Sequence, residues 1–328
     1  MDELFNKIFF RAIQKNTTDI HFHLRKKLLI QLRILGQLEL YDELDFGLGC
    51  KLMNYLKYKS SINTNFRLLP QTGQFTYHLS NHDYYLRVSF LPSIDFESIV
   101  IRILNNHENL IIDQLTPLQE ITCFLHKIPY ISSGLILISG ATGSVKSTTL
   151  YTLVDEIMNT QKKNIITIED PIEIRKQNCL QIELNEKLGI TYEGTLRQIL
   201  RHDPDIIMIG EIRDQLTAQM AITCALTGHL VLTTIHASNA YLALKRLENL
   251  GITQLDIIDV VYASLSQKMR YDLNKKEVVI LPELMTQKDI LNYFNKQSIS
   301  YHTFSDNVQV LVNKHHYSKD LFKDDIYE

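Results

Sequence analysis

The segment Ser139-Gly140-Ala141-Thr142-Gly143-Ser144-Val145-Lys146-Ser147-Thr148-Thr149 limits the fold of this chain more than any other. It follows an apolar run, Leu135 to Ile138, and precedes an amphipathic run, Leu150 to Ile157. That order predicts a strand, a glycine-bearing loop and a helix. The spacing is that of a phosphate-binding loop, G-x-x-x-x-G-K-[ST]. Gly140, Lys146 and Ser147 fall in place, and Val145 stands where the second glycine belongs. In such a loop successive backbone N–H groups curl around a phosphate at the positive end of the helix dipole. Gly140, Ala141, Thr142, Gly143, Ser144, Val145, Lys146, Ser147 and Thr148 are therefore the candidate nucleotide-binding residues. Lys146 is expected to reach the β- and γ-phosphates of ATP, and the Ser147 hydroxyl to ligate Mg²⁺. Val145 is β-branched, so a positive φ there is strained. Either the loop adopts a tolerable variant that retains binding, or the site binds nucleotide poorly.

Three more apolar runs follow the loop: Ile165–Ile168, Ile206–Ile209 and Leu230–Thr234. Amphipathic stretches separate them. This alternation predicts an α/β domain, a mostly parallel sheet with helices on both faces, whose ligands sit at the carboxyl ends of the strands. Polar motifs stand at those ends. Thr167-Ile168-Glu169-Asp170-Pro171-Ile172-Glu173 follows the second run, and its adjacent carboxylates suit Mg²⁺ or water activation. Gly210-Glu211-Ile212-Arg213-Asp214 follows the third, with an acid directly after an apolar strand, as in a Walker-B motif. Thr227-Gly228-His229 precedes the fourth and His236 follows it, where a polar group can sense a γ-phosphate. Taken singly, a carboxylate pair reads as a solvated loop and a lone histidine as a structural residue. Taken together at successive strand ends, they read as one site.

A chain of 328 residues suggests two domains. The boundaries expected are 1–104 for a small α+β domain, 105–117 for an asparagine-rich linker, 118–270 for the phosphate-loop domain and 271–328 for a helical or irregular extension. Within the first, Leu4, Ile8, Phe9, Ala12 and Ile13 recur at helical spacing. Leu28 to Leu40 suggests a hairpin around Gly36-Gln37, and Pro70-Gln71-Thr72-Gly73 a turn. Asp19 is read as a cap or turn residue and His21 as a satisfied polar group. The charged end, Lys319 to Glu328, is expected to fray.

Hydrophobic and charged contents of 45% and 22% are those of an ordinary globular protein, and the net charge of −3 gives no broad nucleic-acid-binding surface. Cys50, Cys123, Cys179 and Cys224 form no C-x-x-C pair, so neither a structural zinc nor an oxidising compartment is indicated. The start lacks a signal-peptide pattern, and no apolar run approaches the length of a membrane span, ~20 residues.

The motifs resemble those of the secretion ATPases of type II secretion systems, type IV pili and competence pseudopili. Thr167 to Glu173 looks like the family's Asp box, Leu200 to Asp214 like its Walker B, and Thr227 to Ala237 like its His box. Asp19-Ile20-His21, Leu69-Pro70-Gln71, Arg87-Val88-Ser89 and Glu97 to Arg102 match weaker signatures. The resemblance implies a RecA-like ATPase domain behind a PAS-like domain, assembled as a homo-hexamer. It implies Glu169 as general base, Glu211 positioning Mg²⁺ through water, and His229 and His236 linking phosphate state to movement. It implies that Arg87 and Arg102 approach the nucleotide when domains close. The partner would be a polytopic membrane platform protein, met at the inner face of the cell membrane, with no direct contact to nucleic acid. The family's four-cysteine zinc insertion is absent, and Ala263-Ser264-Leu265-Ser266-Gln267-Lys268-Met269-Arg270 resembles the S-Q-R-L end of assembly-type members. The branch most resembled drives competence pseudopili for DNA uptake. Other readings are a scaffold impaired by Val145, and a type II secretion or pilus motor.

Overall fold

The structure, a computed structural model, describes residues 1–34, 36–64, 68–79, 82–93, 95–104, 110–185, 188–272, 275, 277–299 and 301–325. The chain divides into two compact units, Met1–Glu108 and Asn109–Glu328.

The first unit is a six-stranded antiparallel sheet under two helices. Its elements are α1 (Asp2–Gln14), β1 (Asp19–Leu24), β2 (Lys27–Ile34), β3 (Gln37–Asp45), α2 (Phe46–Lys59), β4 (Gln71–Leu79), β5 (His82–Pro92) and β6 (Glu97–Ile103). The strand order is β3-β2-β1-β6-β5-β4. Alternate residues face opposite sides of a strand. Ile20, Phe22, Ile30, Leu32, Val88, Ile99 and Ile101 thus turn to one core with Phe5, Ile8 and Phe9 of α1 and Leu52, Met53 and Leu56 of α2. Burying each such side chain contributes about 1.5–3 kcal/mol.

Two local expectations fail here. Asp19 and His21 lie within β1, not in a turn, because the unit's other residues, Ile20, Phe22 and Leu24, supply the alternating buried face. Gln71 to Gly73 open β4 instead of turning. Gly73 is there for close approach: a Cβ on it would lie 1.9 Å from the Ser60 carbonyl oxygen.

The second unit is a seven-stranded sheet in the order β13-β12-β7-β11-β10-β8-β9. Its strands are β7 (Gly134–Ser139), β8 (Ile165–Glu169), β9 (Leu180–Glu183), β10 (Ile206–Ile212), β11 (Leu230–Ile235), β12 (Val261–Asp272) and β13 (Glu277–Thr286). All neighbours run parallel except β12 and β13. The helices are α3 (Ile112–Leu115), α4 (Gln119–Leu125), α5 (Lys146–Thr160), α6 (Tyr192–Ile199), α7 (Gln215–Leu226), α8 (Ala240–Asn249), α9 (Gln254–Val260), α10 (Gln287–Phe294) and α11 (Phe304–His315). Ile136 and Ile138 of β7 face a core shared with α3, α4, α5 and α11. Leu135 and Leu137 face another, shared with α6 to α10. A strand buried on both faces reads as a continuous apolar run, which is why these runs were visible in the sequence.

The carboxyl-terminal part is not an extension of this unit but a piece of its core. β13 completes the sheet, and α11 packs Val308 and Leu311 beneath it. The charged end does not fray through residue 325. Phe322 is fully buried. The buried carboxylate of Asp325 accepts from Arg270 at 2.5 and 2.9 Å and lies 3.2 Å from Lys268 Nζ. Of the expected linker, residues 105–109 lie outside the described residues, and Ile112 and Leu115 beyond them are buried in the same core. Asp2–Gln14 and the Ile34–Gln37 hairpin are as expected. No helix among the described residues is long and apolar enough to cross a membrane.

Candidate active site

The carboxyl ends of β7, β11, β10 and β8, four neighbouring strands, carry the sequence motifs. β7 delivers the loop Gly140–Val145 and α5 leaves from it. Ala141, Thr142 and Gly143 are exposed, Ser144 and Lys146 buried, and Val145, Ser147 and Thr148 half-buried. The backbone of Val145 is left-handed, with φ 56° and ψ 33°, so the loop keeps the conformation of a glycine with a β-branched residue. Gly140 is required by space: a Cβ on it would lie 2.4 Å from both the Gln267 carbonyl oxygen and Ser144 Oγ. The first turn of the 15-residue α5 leaves its N–H groups facing the loop.

Lys146 Nζ donates to the carbonyl oxygens of Gly140 and Ala141 at 2.9 and 3.0 Å. Burial pulls its ammonium below the usual range, and the carboxylates of Glu211 and Glu173 pull it back up. Those two acids are thus the carboxylates whose charge acts on the loop lysine.

Glu211 stands where β10 leaves the ladder: its pairing with β11 shifts between Ile209 and Ile212. Thr234 Oγ1 donates to the Gly210 carbonyl at 2.7 Å and fixes the break. Glu211 Oε2 accepts from Arg213 Nε at 2.9 Å, and Oε1 lies 3.0 Å from His236 Nε2. Arg213 also reaches Asp170 at 3.1 Å. Asp170, Arg213, Glu211 and His236 thus join three motifs in one chain of polar contacts. Each exposed ion pair alone contributes only about 0–1 kcal/mol, so their importance is positional.

Glu169 has a different place from the one expected of a base. It is 3% exposed. It sits on the same pleat face as Thr167, beneath α5. Thr167 Oγ1 and Gln181 Nε2 donate to its Oε1 at 2.7 and 3.2 Å. The Tyr151 hydroxyl donates to Oε2. Burial raises its proton affinity, against the pull of these donors. Glu173, four residues on and half-buried, is the acid of this motif that acts on Lys146. The signal for it was present: Glu169 shares its strand face with Thr167, whereas Glu173 follows the turn at Pro171.

His229 is separated from the site. It precedes β11, and the register Leu230↔Gly134 to Ile235↔Ser139 puts it at the opposite end of the sheet from the loop. There its Nδ1 meets Thr227 Oγ1 and the Cys224 carbonyl at 3.0 and 3.1 Å. Arg87 and Arg102 belong to the first unit and are opposite each other on β5 and β6. Arg87 is exposed, and Arg102 Nε donates to Asp19 Oδ1 at 2.7 Å. Asp19 therefore orients a guanidinium that is itself 59% exposed.

For a nucleotide with Mg²⁺ the donors fit. Magnesium takes hard oxygen ligands, few of them from protein. The Ser147 hydroxyl lies in the first turn of the helix that leaves the loop, and Glu211 supplies a carboxylate whose charge acts on the loop lysine.

Fold and site together define a RecA-like phosphate-loop ATPase. The chain belongs to the type II/IV secretion system protein family, whose sequence profile matches residues 1–309. It is similar to the competence protein ComGA of Halalkalibacterium halodurans, 38% identical over 265 residues that cover 80% of this chain and 76% of that one. Against the competence protein ComGA of Bacillus subtilis it is 41% identical over 219 residues, 67% of this chain and 62% of that one. In backbone it is similar to the ATPase DotB of Legionella pneumophila, with a TM-score of 0.78 at 20% identity, covering 98% and 94% of the two chains.

Proposed function

We propose that this protein is the ATP-hydrolysing motor of a competence-type pseudopilus. It works as a homo-hexamer at the cytoplasmic face of the membrane, acts on a polytopic platform protein, and supports DNA uptake without touching DNA. The observation that carries the catalytic part is the chain of polar contacts from Asp170 through Arg213 and Glu211 to His236, which joins three motifs at neighbouring strand ends; the charges of Glu173 and Glu211 also act on the buried Lys146. The likeness to competence relatives supports the choice of branch.

The residues divide the work by their environment. Backbone N–H groups of the loop and Lys146 hold the phosphates. Mg²⁺, when bound, would neutralise phosphate charge, with Ser147 and Glu211 as its protein oxygens. Glu173 takes the proton of the attacking water, because Glu169 has its oxygens filled by donors. Glu169 instead helps to anchor the segment next to Glu173, through Tyr151 and Gln181, which both also bond the backbone of Ile174. Glu211 passes the state of the site to His236 and, through Arg213, to Asp170. Arg87 and Arg102 bring cationic charge to the transferring phosphoryl group. His229 keeps a structural place at the far end of β11.

A second reading is a non-hydrolysing assembly scaffold, favoured by the left-handed backbone imposed on Val145. Steady-state ATPase of the purified chain separates the two. Mg²⁺-dependent turnover that is lost in Glu173→Gln and kept in part in Glu169→Gln supports the motor as described. Nucleotide binding without turnover in the native chain favours the scaffold. Deleting the gene tests the branch: DNA uptake is lost and exoprotein secretion kept, and the reverse pattern transfers the motor to a type II secretion system.

A further inference from the structure

Gln267 lies in the S-Q-K-M segment, which the proposed chemistry leaves without a task. It is 1% exposed on β12, the strand beside β7. Its Nε2 donates to the Ser144 carbonyl at 2.5 Å across 123 residues of sequence. Its own backbone carbonyl closes on Gly140 at the other end of the phosphate loop. One residue thus grips both ends of the loop.

We infer that Gln267 is the positioning residue that lets valine stand in the glycine place of this loop, by pinning the Ser144–Val145 peptide. The carbonyl it holds belongs to that peptide. Rotating the peptide plane changes ψ of Ser144 and φ of Val145 together, so a fixed carbonyl fixes φ of Val145. Left-handed backbone is strained for a β-branched residue, and persists only where the surroundings over-determine it. A peptide flip is the natural relaxation, and the amide of Gln267 blocks it.

Gln267 behaves as more than a satisfied core amide. Its Oε1 is buried without a hydrogen-bond partner, as is Ser144 Oγ beside it. The donor end is kept at the expense of the acceptor end. Turning the amide over would set Oε1 against the Ser144 oxygen, so only one orientation serves. The strand that carries it is fixed by pairing with β7 and β13, and by Lys268 and Arg270 on Asp325. In a glycine loop the same contact would have less strain to hold, since glycine enters the left-handed region at no steric cost.

The consequence for affinity rests on the nucleotide-binding reading of the loop; the conformational part does not. The test is a double-mutant cycle of the full chain: native, Gln267→Met, Val145→Gly and both. Two readouts are taken, hydrogen exchange of loop peptide 139–150 without nucleotide, and the Kd for Mg-ATP. In the native background Gln267→Met speeds loop exchange and weakens Mg-ATP binding about tenfold or more; with Val145→Gly both effects shrink to about threefold or less. Equal effects in the two backgrounds, or none in either, overturn the inference. If Gln267→Met does not fold in either background, Gln267→Asn, with its donor drawn back by one methylene, replaces it in the same cycle. Coupled exchange without Mg-ATP binding in any of the four proteins overturns the nucleotide reading and leaves the inference standing.

Discussion

His236 Nε2 lies 3.0 Å from Glu211 Oε1, although the two residues come from different strands and different motifs. The contact works because β11 and β10 are neighbours and their ladder opens at Gly210-Glu211. Glu211 therefore faces Lys146 electrostatically while holding a histidine and Arg213. A charge change at the loop is felt by a residue whose side chain is half-exposed.

Glu211→Gln preserves the shape of this contact and removes its charge. Turnover is expected to fall about 10²–10³-fold while the affinity for Mg-ATP changes less than about tenfold. Steady-state kinetics with a separate binding titration checks it; a fall in affinity with turnover at saturation unchanged would mean that Glu211 only binds.

Val145→Gly removes left-handed strain of about 1–3 kcal/mol. The added freedom of glycine in the unfolded chain offsets roughly 0.5–1 kcal/mol of that. A net stabilisation of about 1 kcal/mol is expected in urea unfolding of the second unit. A destabilised variant would show that the valine side chain, which packs against the α5 core, outweighs its backbone.

Glu169 carries a pH signature. Burial raises its pKa in the folded chain above the unfolded value. The folded state thus holds the proton more tightly, and this contribution to stability is complete below the unfolded pKa and lost as pH rises through the folded one. Glu169→Gln abolishes that dependence. The unfolding midpoint of the native chain, compared with Glu169→Gln, should improve as pH is lowered from neutral toward the carboxylate range. A difference that stays flat with pH contradicts the assignment.

The terminal ion cluster predicts an asymmetry. Arg270→Met leaves the buried Asp325 carboxylate with Lys268 alone. Removing one partner of a buried pair costs about 3–5 kcal/mol, and partial exposure of Arg270 reduces this to roughly 2–3. Asp325→Asn leaves two cations that can reach solvent, and costs about 1 kcal/mol. Chemical denaturation of both variants decides it, and equal losses would count against the cluster as described.

The four parallel strands and the loop were legible because both faces of each strand are buried and each strand ends in a polar motif. Asp19 and His21 were misread because a strand with one polar face looks like a turn when its partners, Arg33 and Arg102, are far away in sequence. The sequence places Glu169 on the strand and Glu173 after the turn at Pro171, but the burial of Glu169 beneath Tyr151, which separates their roles, comes from a helix that the motif does not contain. The terminal turn was obscured by its charges; Asp325 reads as part of a fraying end until Lys268 and Arg270 are seen to neutralise it.

The order of strands also sets a schedule. β7 is flanked by β11 and β12, and the loop that it carries is completed by a side chain 123 residues further along. A ribosome has translated the loop long before it translates Gln267. Until β12 emerges, β7 lacks a neighbour on one side and the left-handed peptide at Val145 lacks its restraint. The loop therefore reaches its finished form only after Gln267 is in place beside it.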